Sequence, residues 1–344
     1  MKKVIVAMSG GVDSSVTAYK MLENGFDVIG VTLTMGRKCD QDAVNDAKKV
    51  SEKLGIKHFA LDASNDFDKN VLNYFESSYL SGETPNPCAM CNKFVKFRKI
   101  IEFMKENNAD FIATGHYAKI VENNGIFELH KGDDIKKDQS YFLTMLDYNF
   151  LQYIKFPLHD ILDKSETREI ARKIGLHVAD KKDSQDICFI SDNNYKRYLF
   201  EERNIKPQDG LIKHVNGEIL GKHNGIINYT IGQRKGIGVS YGKPIYVVKI
   251  DGKNNIVYVG DEKDLYSNTL TIKDVNVLNS IIYDKDLHFG FKLRSTHKEE
   301  SGRIELLDDN KAKITLDEET RAITKGQLCS VYYGDMIIGG GWIE

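Results

Sequence analysis

Several features are scarce or missing in this chain of 344 residues, and each absence excludes a class of protein. Five cysteines are too few for a disulfide framework in a chain of this size, and they indicate thiols in a reducing compartment. No apolar run approaches the length of a membrane span, and no apolar signal segment follows Met1. We therefore expect a cytoplasmic protein with no membrane partner.

The chain also lacks an excess of positive charge. Its formal net charge is −2, so it has no overall field that would attract a nucleic acid. An RNA partner would have to bind to local basic surfaces. No internal repeat or low-complexity tract interrupts the sequence, whose length suggests two or three domains.

A glycine-rich loop near the start of the chain lacks the lysine of the common P-loop. The loop is Ser9-Gly10-Gly11-Val12-Asp13-Ser14, and the apolar residues 4–8 that precede it predict a strand. Its glycines allow backbone N–H groups to surround a phosphate, while its hydroxyls and the following helix N-terminus add donors. Without Gly-Lys-Ser/Thr, the loop suits a pyrophosphate that leaves rather than a phosphate that is transferred. The string resembles the ATP-pyrophosphatase loop of enzymes that activate a carbonyl oxygen as its adenylate.

Short apolar segments alternate with helical patterns after this loop. The predicted strands are residues 4–8, 28–33, 58–61 and 111–113, and the helical patterns between them end at glycines such as Gly55. This alternation predicts a parallel sheet that is covered by helices on both faces. Ligands bind at the carboxyl edge of such sheets, where the glycine loop, the segment after Leu33 and Gly115-His116 would meet.

The rest of the chain divides into a helical and a β-rich part. Residues 141–175 have a helical pattern, in which Asp163 and Glu166 resemble a capping box. From about Gly210, short β-rich segments alternate with glycine and Asn/Asp turns. We predict an α/β fold with a catalytic domain over residues 1–205, a small central domain over 206–265 and a C-terminal β-barrel over 266–344.

Two cysteines in a proline-bounded segment are candidates for thiol chemistry. Pro85-Asn86-Pro87 predicts an extended loop, after which Cys91 would open a helix that is rich in lysine. A helix N-terminus beside lysines lowers the pKa of a thiol, so we expect Cys91 to be a reactive thiolate. Cys188, in a segment with apolar neighbours, is a candidate partner.

Three hypotheses fit these cysteines. A structural zinc site would need four ligands, and no second closely spaced cysteine pair is present. A persulfide or redox pair would use Cys91 and Cys188. A [4Fe-4S] cluster would use Cys88, Cys91 and Cys188 and leave one iron open to an exogenous sulfide. The residues alone do not separate the last two hypotheses, and they assign no role to Cys39 or Cys329.

The motifs together resemble those of tRNA-specific 2-thiouridylases, in the same order and over nearly the whole chain. The matching segments are residues 8–15, 85–87, 91–93 with 96–97, 113–118, 137–143, 183–184 with 187–190, 229–236 and 339–344. The resemblance implies an N-terminal ATP-pyrophosphatase domain of the adenine nucleotide alpha hydrolase type, a small central domain and a C-terminal β-barrel.

The resemblance also implies a reaction, namely ATP-dependent 2-thiolation of the wobble uridine of tRNA. Adenylation of the C2 oxygen would release pyrophosphate, and a cysteine persulfide would then supply sulfur as AMP leaves. The enzyme would be a tRNA-uridine 2-sulfurtransferase that uses ATP and Mg²⁺. Its partners would be tRNA and a sulfur-donor protein, either a persulfide relay or a cysteine desulfurase.

Site residues follow from the same resemblance. Cys91 would be the catalytic nucleophile and Cys188 the persulfide carrier, and Asp13 would help to hold Mg²⁺-pyrophosphate. The implied ATP contacts are Ala7, Met8, Ser9, Gly10, Gly11, Val12, Asp13, Ser14, Leu33 and Gly115. The implied contacts with the target base or the rest of the tRNA are Asn86, Pro87, Cys88, His116, Lys137, Asp138, Gln139, Arg294, Ser295 and Gln327.

The chain departs from the family pattern at two positions in these segments. Cys88 stands where the family usually has Asp, and Asp186 stands where it usually has Gly. Cys88 places a third thiol beside the nucleophile, so thiolation of another RNA base with a three-cysteine [4Fe-4S] cluster is the alternative function. Two further rivals are a small-molecule amide-forming synthetase, which gives no reason for Cys91 and Cys188, and a nucleotide sensor that binds ATP and RNA without chemistry.

Overall fold

The computed structural model describes residues 1–37, 39–181, 187–190 and 192–344. Its N-terminal part contains seven strands within these ranges, which are β1 (Lys3–Ala7), β2 (Asp27–Thr34), β3 (Lys57–Asp62), β4 (Phe111–Ala113), β5 (Ala118–Asn123), β6 (Ile126–Lys131) and β7 (Ile154–Lys155). Five of them form a parallel sheet in the order β3-β2-β1-β4-β7.

Helices cover both faces of this sheet, as the alternating sequence pattern predicts. The helices of the N-terminal part are α1 (Val12–Glu23), α2 (Asp40–Leu54), α3 (Ser64–Phe67), α4 (Asn73–Leu80), α5 (Pro87–Cys91), α6 (Phe97–Glu106), α7 (Lys164–Lys173) and α8 (Tyr195–Arg197), of which α1, α2 and α7 share a core with one face of the sheet and α6 with the other. Single π-helical turns continue α3 into α4 and α5 into α6. Alternate side chains of β1 enter different cores, because Val4 and Val6 pack on the face that carries α1 and α2 whereas Ile5 packs against α6.

Residues 141–175 are not one helical region, so this expectation is wrong over most of its length. Short 3-10 turns cover Ser140–Leu143 and Tyr148–Tyr153, β7 follows, and only α7 is a regular helix. Pro157 cannot continue a helix because it lacks an N–H donor. Asp163 does cap α7, since its side chain accepts a hydrogen bond of 2.6 Å from the backbone N–H of Ser165.

Two β-rich units follow the parallel sheet. The first has β8 (Asp209–His214), β9 (Ile219–Asn224), β10 (Tyr246–Asp251) and β11 (Ile256–Gly260), in the order β10-β11-β8-β9. The second has β12 (Tyr266–Val277), β13 (Phe289–Lys292), β14 (Glu300–Leu307), β15 (Lys311–Arg321), β16 (Leu328–Tyr333) and β17 (Met336–Ile343). Pairing of β12 with β17 closes this second sheet into the barrel that the sequence predicts.

A hairpin of the N-terminal part ties the barrel to the parallel sheet. Strands β5 and β6 pair with each other, and β6 pairs with β17 through Leu129–Ile337 and His130–Met336. Tyr332 and Ile337 of the barrel also share one core cluster with Ile5 of the central sheet. This hairpin was not predicted from the sequence. No helix in the described ranges is long and apolar enough to cross a membrane.

Candidate active site

The carboxyl edge of the parallel sheet brings together three segments that the sequence places at one site. The glycine loop follows β1, Leu33 lies near the end of β2, and Gly115 follows β4, and these three strands are neighbours. A Cβ on Gly115 would lie 3.1 Å from backbone atoms of Asp13 and Ser14, so Gly115 packs directly on the loop. This close approach explains a glycine there.

The glycine loop is shaped by its own backbone and hydroxyls. Gly10 has a φ of 69°, and a Cβ there would lie 2.7 Å from the carbonyl oxygen of Ala43, so only glycine fits. The Ser14 hydroxyl donates to the Gly11 carbonyl at 3.0 Å and accepts from the Ser9 N–H at 3.1 Å. These bonds fix the turn that leads into α1.

Residues of the predicted ATP set differ in what they can offer a ligand. The side chains of Met8 and Val12 are buried in the core under the loop, so only their backbone groups can contact a ligand. Ala7 ends β1, and its side chain packs against the core on the α6 side. The loop thus presents mainly main-chain donors and hydroxyls, which is the chemistry that a phosphate requires.

Asp13 is held by residues from two other segments. The Tyr117 hydroxyl donates to its Oδ1 at 2.9 Å, and Lys164 Nζ donates to its Oδ2 at 2.9 Å. Lys181 reaches the same loop, since its Nζ lies 3.0 Å from the Gly10 carbonyl oxygen. The sequence did not predict Tyr117, Lys164 and Lys181 as site residues, because nothing in the local pattern indicates that these positions fold back onto the loop.

The segment before the cysteines forms a helix start, but not at Cys91. Asn86 caps α5 by accepting a hydrogen bond of 3.1 Å from the N–H of Ala89, and Pro87 is the first helical residue. Cys88 therefore lies in the first turn, while Cys91 is the last residue of α5 and continues into the next helical turn. The expectation that Cys91 opens a helix is wrong.

Burial decides the acidity of these thiols. It raises the pKa of Cys91 to about 11, although the positive charge of Lys96 acts in the opposite direction. Burial and then the negative charge of Cys188 raise the pKa of Cys88 to about 12. The expected depression of the Cys91 pKa is therefore contradicted in this arrangement, where loss of hydration outweighs the nearby cation.

Cys188 is exposed, and an aromatic neighbour anchors its segment. Phe189 lies with its ring centroid 5.2 Å from that of Phe75 and 5.8 Å from that of Phe67, and it packs on the cluster that contains Cys91. The negative charge of Cys188 raises the pKa of Cys91, so the two thiols share one electrostatic environment. All five cysteines are free thiols.

Arg37 supplies a further charge beside Cys188. Burial disfavours its charged form, but the negative charges of Cys188 and Asp40 outweigh this effect and raise the pKa of Arg37. Arg37 Nε donates to Asp40 Oδ1 at 2.8 Å, and Asp40 Oδ2 accepts from the Arg37 N–H at 2.9 Å. This fixes the guanidinium on a buried carboxylate.

The three cysteines do not form a preformed cluster site. Within the described part of the chain, no group of three or more His, Cys, Asp or Glu side chains is arranged to hold a metal ion. The three-cysteine alternative is not favoured.

His116 is half-buried and makes contacts through both ring nitrogens. Its Nε2 lies 3.4 Å from Lys96 Nζ, and its Nδ1 lies 2.6 Å from Thr114 Oγ1. A lysine ammonium can only donate, so Nε2 accepts and Nδ1 carries the proton. Burial and then the charge of Lys96 lower the pKa of His116 well below its ordinary value, which keeps the ring neutral.

The loop of Lys137, Asp138 and Gln139 is folded back on the N-terminal domain. Asp138 Oδ1 accepts from the N–H groups of Gly132 and Ser140 at 3.2 Å and 3.1 Å. Gln139 Oε1 accepts from the Tyr117 N–H at 3.2 Å. Asp138 and Gln139 thus shape the loop, and a contact of the three residues with tRNA stays a prediction.

The three barrel residues that were predicted to contact tRNA lie in different environments. Arg294 is half-buried and donates to the Ala322 carbonyl at 3.0 Å and to Thr324 Oγ1, while Ser295 beside it is exposed. Gln327 Nε2 donates to the carbonyl oxygens of Thr84 and Pro85 at 3.0 Å and 3.4 Å. Gln327 thereby ties the barrel to the segment that precedes Asn86 and Cys88.

Part of the matching sequence lies outside the described residues. This applies to Asp183 and Ser184, which belong to the motif around Cys188, and to Asp186, which departs from the family pattern.

Comparison with protein families divides the chain into three matches. Residues 2–192 match a model described as a tRNA methyl transferase HUP domain, residues 199–261 a tRNA methyl transferase PRC-barrel domain, and residues 267–343 an aminomethyltransferase beta-barrel domain. These matches agree with the parallel sheet, the middle unit and the closed barrel. Their descriptions refer to methyl transfer, in contrast to the names of the full-length relatives.

The full-length relatives are named for thiolation. The tRNA-specific 2-thiouridylase MnmA of Rickettsia peacockii (strain Rustic) is 49% identical over 351 residues, which cover 99% of this chain and 96% of the relative. The enzyme of the same name from Rickettsia typhi (strain ATCC VR-144 / Wilmington) is 48% identical over 354 residues, which cover 100% of this chain and 99% of the relative.

A solved structure of a 4-thiouridine synthetase–RNA complex with bound ATP is 18% identical. It covers 56% of this chain and 46% of that chain with a TM-score of 0.38, a likeness too weak to bear on function. The relatives' identity over the whole chain decides the assignment: this chain belongs to the tRNA-specific 2-thiouridylase family.

Proposed function

We propose that this protein catalyses the ATP-dependent 2-thiolation of uridine in tRNA, at the wobble position. The proposal rests on one observation: the glycine loop and the two thiols Cys91 and Cys188 lie in one domain of a chain that is 49% identical to a tRNA-specific 2-thiouridylase over 99% of its length. ATP activation explains the loop, and sulfur transfer explains the thiols. A small-molecule synthetase or a nucleotide sensor explains only the loop.

In the first step, the C2 oxygen of the uridine attacks the α-phosphate of ATP and pyrophosphate leaves. The glycine loop would hold the pyrophosphate through its N–H groups, and Asp13 would hold the Mg²⁺ that offsets its charge. Oxygen at C2 is a poor leaving group, and AMP is a good one. The uridine would be flipped out of its tRNA loop, because a stacked base cannot reach the nucleotide.

In the second step, a persulfide on Cys188 delivers sulfur. Its terminal sulfur attacks C2, the C2–O bond breaks, and AMP leaves. The Cys91 thiolate then attacks Sγ of Cys188, which breaks the bond to the transferred sulfur and leaves 2-thiouridine and a Cys91–Cys188 disulfide. The transferred sulfur is reduced as the two cysteines are oxidised, so a thiol reductant must reopen the disulfide before a sulfur-donor protein reloads Cys188.

The difference in exposure between Cys188 and Cys91 supports the roles proposed for the two thiols. Cys188 is exposed, so a donor protein can reach it, whereas Cys91 is buried and protected from other oxidants. In a second route, the Cys91 thiolate would attack Sγ of the Cys188 persulfide first, which forms the Cys91–Cys188 disulfide and frees a sulfide that then attacks C2 as AMP leaves. Both routes require both thiols.

Nucleoside mass spectrometry of tRNA tests the proposal. A strain without the gene should lack 2-thiouridine derivatives, and the wild-type gene should restore them, whereas Cys91→Ser and Cys188→Ser should not. The matched control is Cys329→Ser, since Cys329 is buried in a barrel core cluster that contains neither Cys91 nor Cys188, and this variant should restore thiolation. Persistence of 2-thiouridine in the deletion strain, or full activity of either site variant, would refute the proposal.

A further inference from the structure

The glycine loop contains no positively charged side chain that could offset the negative charge of a bound pyrophosphate. Asp13 is the only charged residue among Ser9 to Ser14, and it is negative. The pyrophosphate part of ATP brings further negative charge, and main-chain dipoles alone carry only partial positive charge. The lysine of the common P-loop is missing, so any side-chain cation that would add to the charge of Mg²⁺ has to come from elsewhere in the fold.

Two lysines from the segment after β7 reach opposite ends of the loop. Lys164 is the first residue of α7, and its Nζ lies 2.9 Å from Asp13 Oδ2, with 16% of its side chain exposed. Lys181 follows α7, and its Nζ lies 3.0 Å from the Gly10 carbonyl oxygen. We propose that Lys164 and Lys181 bind the pyrophosphate part of ATP and replace the lysine that the loop lacks.

Carboxylates hold both lysines in position. Lys164 is bound to Asp13, whose other oxygen accepts from the Tyr117 hydroxyl. Lys181 is bound to Asp46 at 2.6 Å, and His177 Nε2 lies 3.1 Å from the same carboxyl group. Burial opposes ionisation of Asp46, but the hydrogen bonds from Lys181 and His177 outweigh this effect and lower the pKa of Asp46. Both lysines are therefore paired cations at the loop.

Each lysine could exchange its carboxylate partner for a phosphoryl oxygen of the nucleotide. A lysine ammonium has three donors on a flexible stem, so it can turn from a carboxylate to a phosphoryl oxygen without movement of the backbone. If Lys164 turned to the pyrophosphate, Asp13 Oδ2 would be free to hold Mg²⁺, while the Tyr117 hydroxyl would still donate to Oδ1. The exchange would couple nucleotide binding to release of the metal-binding oxygen.

The inference rests on the proposed function, because ATP is the ligand. It differs from a purely structural role, in which the ion pairs only hold α7 and the loop together. A structural role predicts that loss of a lysine weakens ATP and AMP binding alike. Pyrophosphate recognition predicts that only the ligand with a pyrophosphate is affected, because AMP lacks the β- and γ-phosphates.

Calorimetric titration of the full-length protein with ATP and with AMP tests the inference. In Lys164→Met and Lys181→Met, we expect the affinity for ATP to fall about tenfold to a hundredfold, the range for a lost hydrogen bond to a charged group, and the affinity for AMP to be retained. Lys164→Arg keeps the charge and should retain most of the ATP affinity. The matched control is Lys173→Met, an exposed lysine of the same helix, which should change neither affinity.

Different results would contradict the assignment of the two lysines and the proposed thiolation of tRNA. Unchanged ATP affinity in both methionine variants, or an equal loss for ATP and AMP, would overturn the lysine assignment while the wild type still thiolates tRNA. A wild type that binds no ATP would instead contradict the proposed function. If Lys164→Met unfolds, Lys181→Met decides, because 43% of the Lys181 side chain is exposed and its loss should leave the fold intact.

Discussion

Lys96 Nζ lies 3.4 Å from His116 Nε2, and its positive charge also acts on Cys88 and Cys91. His116 accepts from the ammonium group and stays neutral, so the lysine charge is not cancelled by a carboxylate at this contact. Lys96 is thus a cation that is shared between two half-buried residues, His116 and Cys88, and the buried thiol of Cys91. We infer that it limits how far burial raises the pKa of Cys91.

Removal of this charge should change the pH dependence of sulfur transfer. The Cys91 pKa is about 11, so its thiolate is the minor form at neutral pH, and Lys96 favours that form. In Lys96→Met the Cys91 pKa should rise further, so the transfer rate should fall at neutral pH and recover as the pH is raised. Single-turnover rates over a pH series measure this shift.

Two controls make the Lys96 experiment specific. Lys96→Arg keeps the charge and should keep the profile close to that of the wild type. Lys105→Met removes an exposed lysine of α6 and should leave the profile unchanged. A Lys96→Met enzyme with a lower rate but an unshifted profile would contradict the electrostatic explanation.

Gln327 should act by positioning the loop before Cys88. Its amide donates to the carbonyl oxygens of Thr84 and Pro85, so Gln327→Ala should cost about 1 kcal/mol of folding free energy and loosen that loop. We expect a lower kcat for tRNA thiolation with unchanged ATP affinity. The control is Gln152→Ala, which removes an exposed amide elsewhere. A rise in KM for tRNA with unaltered kcat and stability would indicate a direct RNA contact instead.

Phe189 should be required to hold Cys188 in place. Its ring packs on Phe67, Phe75 and Tyr198, and truncation to Ala would remove these contacts at a cost of about 2 kcal/mol. We expect the Phe189→Ala variant to accept a persulfide on Cys188 but to transfer the sulfur slowly to tRNA. The transfer rate of Phe189→Leu should lie between those of Phe189→Ala and the wild type. Mass spectrometry of loaded protein, before and after tRNA and ATP are added, separates loading from transfer. Equal transfer by Phe189→Ala and the wild type would disprove the anchoring role.

Cys88 should be dispensable for the chemistry. The proposed transfer uses only Cys91 and Cys188, and the described residues contain no group of three side chains that could hold a metal ion. We expect Cys88→Ser, purified without oxygen, to thiolate tRNA as the wild type does, while Cys91→Ser is inactive. Loss of activity in Cys88→Ser together with loss of bound iron would restore the cluster hypothesis.

Local patterns were sufficient to predict the parallel sheet and the barrel. Apolar runs such as residues 4–8 and 111–113 mark buried strands, and Gly55 has the left-handed φ of 69° that ends α2. The hairpin β5–β6 was missed because its pairing with β17 joins distant parts of the chain. A strand signal does not identify a partner that lies so far along the sequence.

The candidate site was predicted less completely than the fold. Motifs identified the glycine loop and the cysteines, but the acidity of Cys91 depends on burial, and residue spacing does not report burial. Lys164 and Lys181 lie 151 and 171 positions beyond the loop residues that they contact. Only the folded chain brings these two lysines to the glycine loop.

A single-turnover reaction with persulfide-loaded protein tests the central claim most directly. Protein that carries labelled sulfur on Cys188 is mixed with tRNA in the presence or absence of ATP, and AMP, pyrophosphate and 2-thiouridine are quantified. The account predicts equal amounts of the three products, labelled sulfur in the nucleoside, and no transfer without ATP. Labelled 2-thiouridine without ATP, or pyrophosphate release without 2-thiouridine, would contradict it.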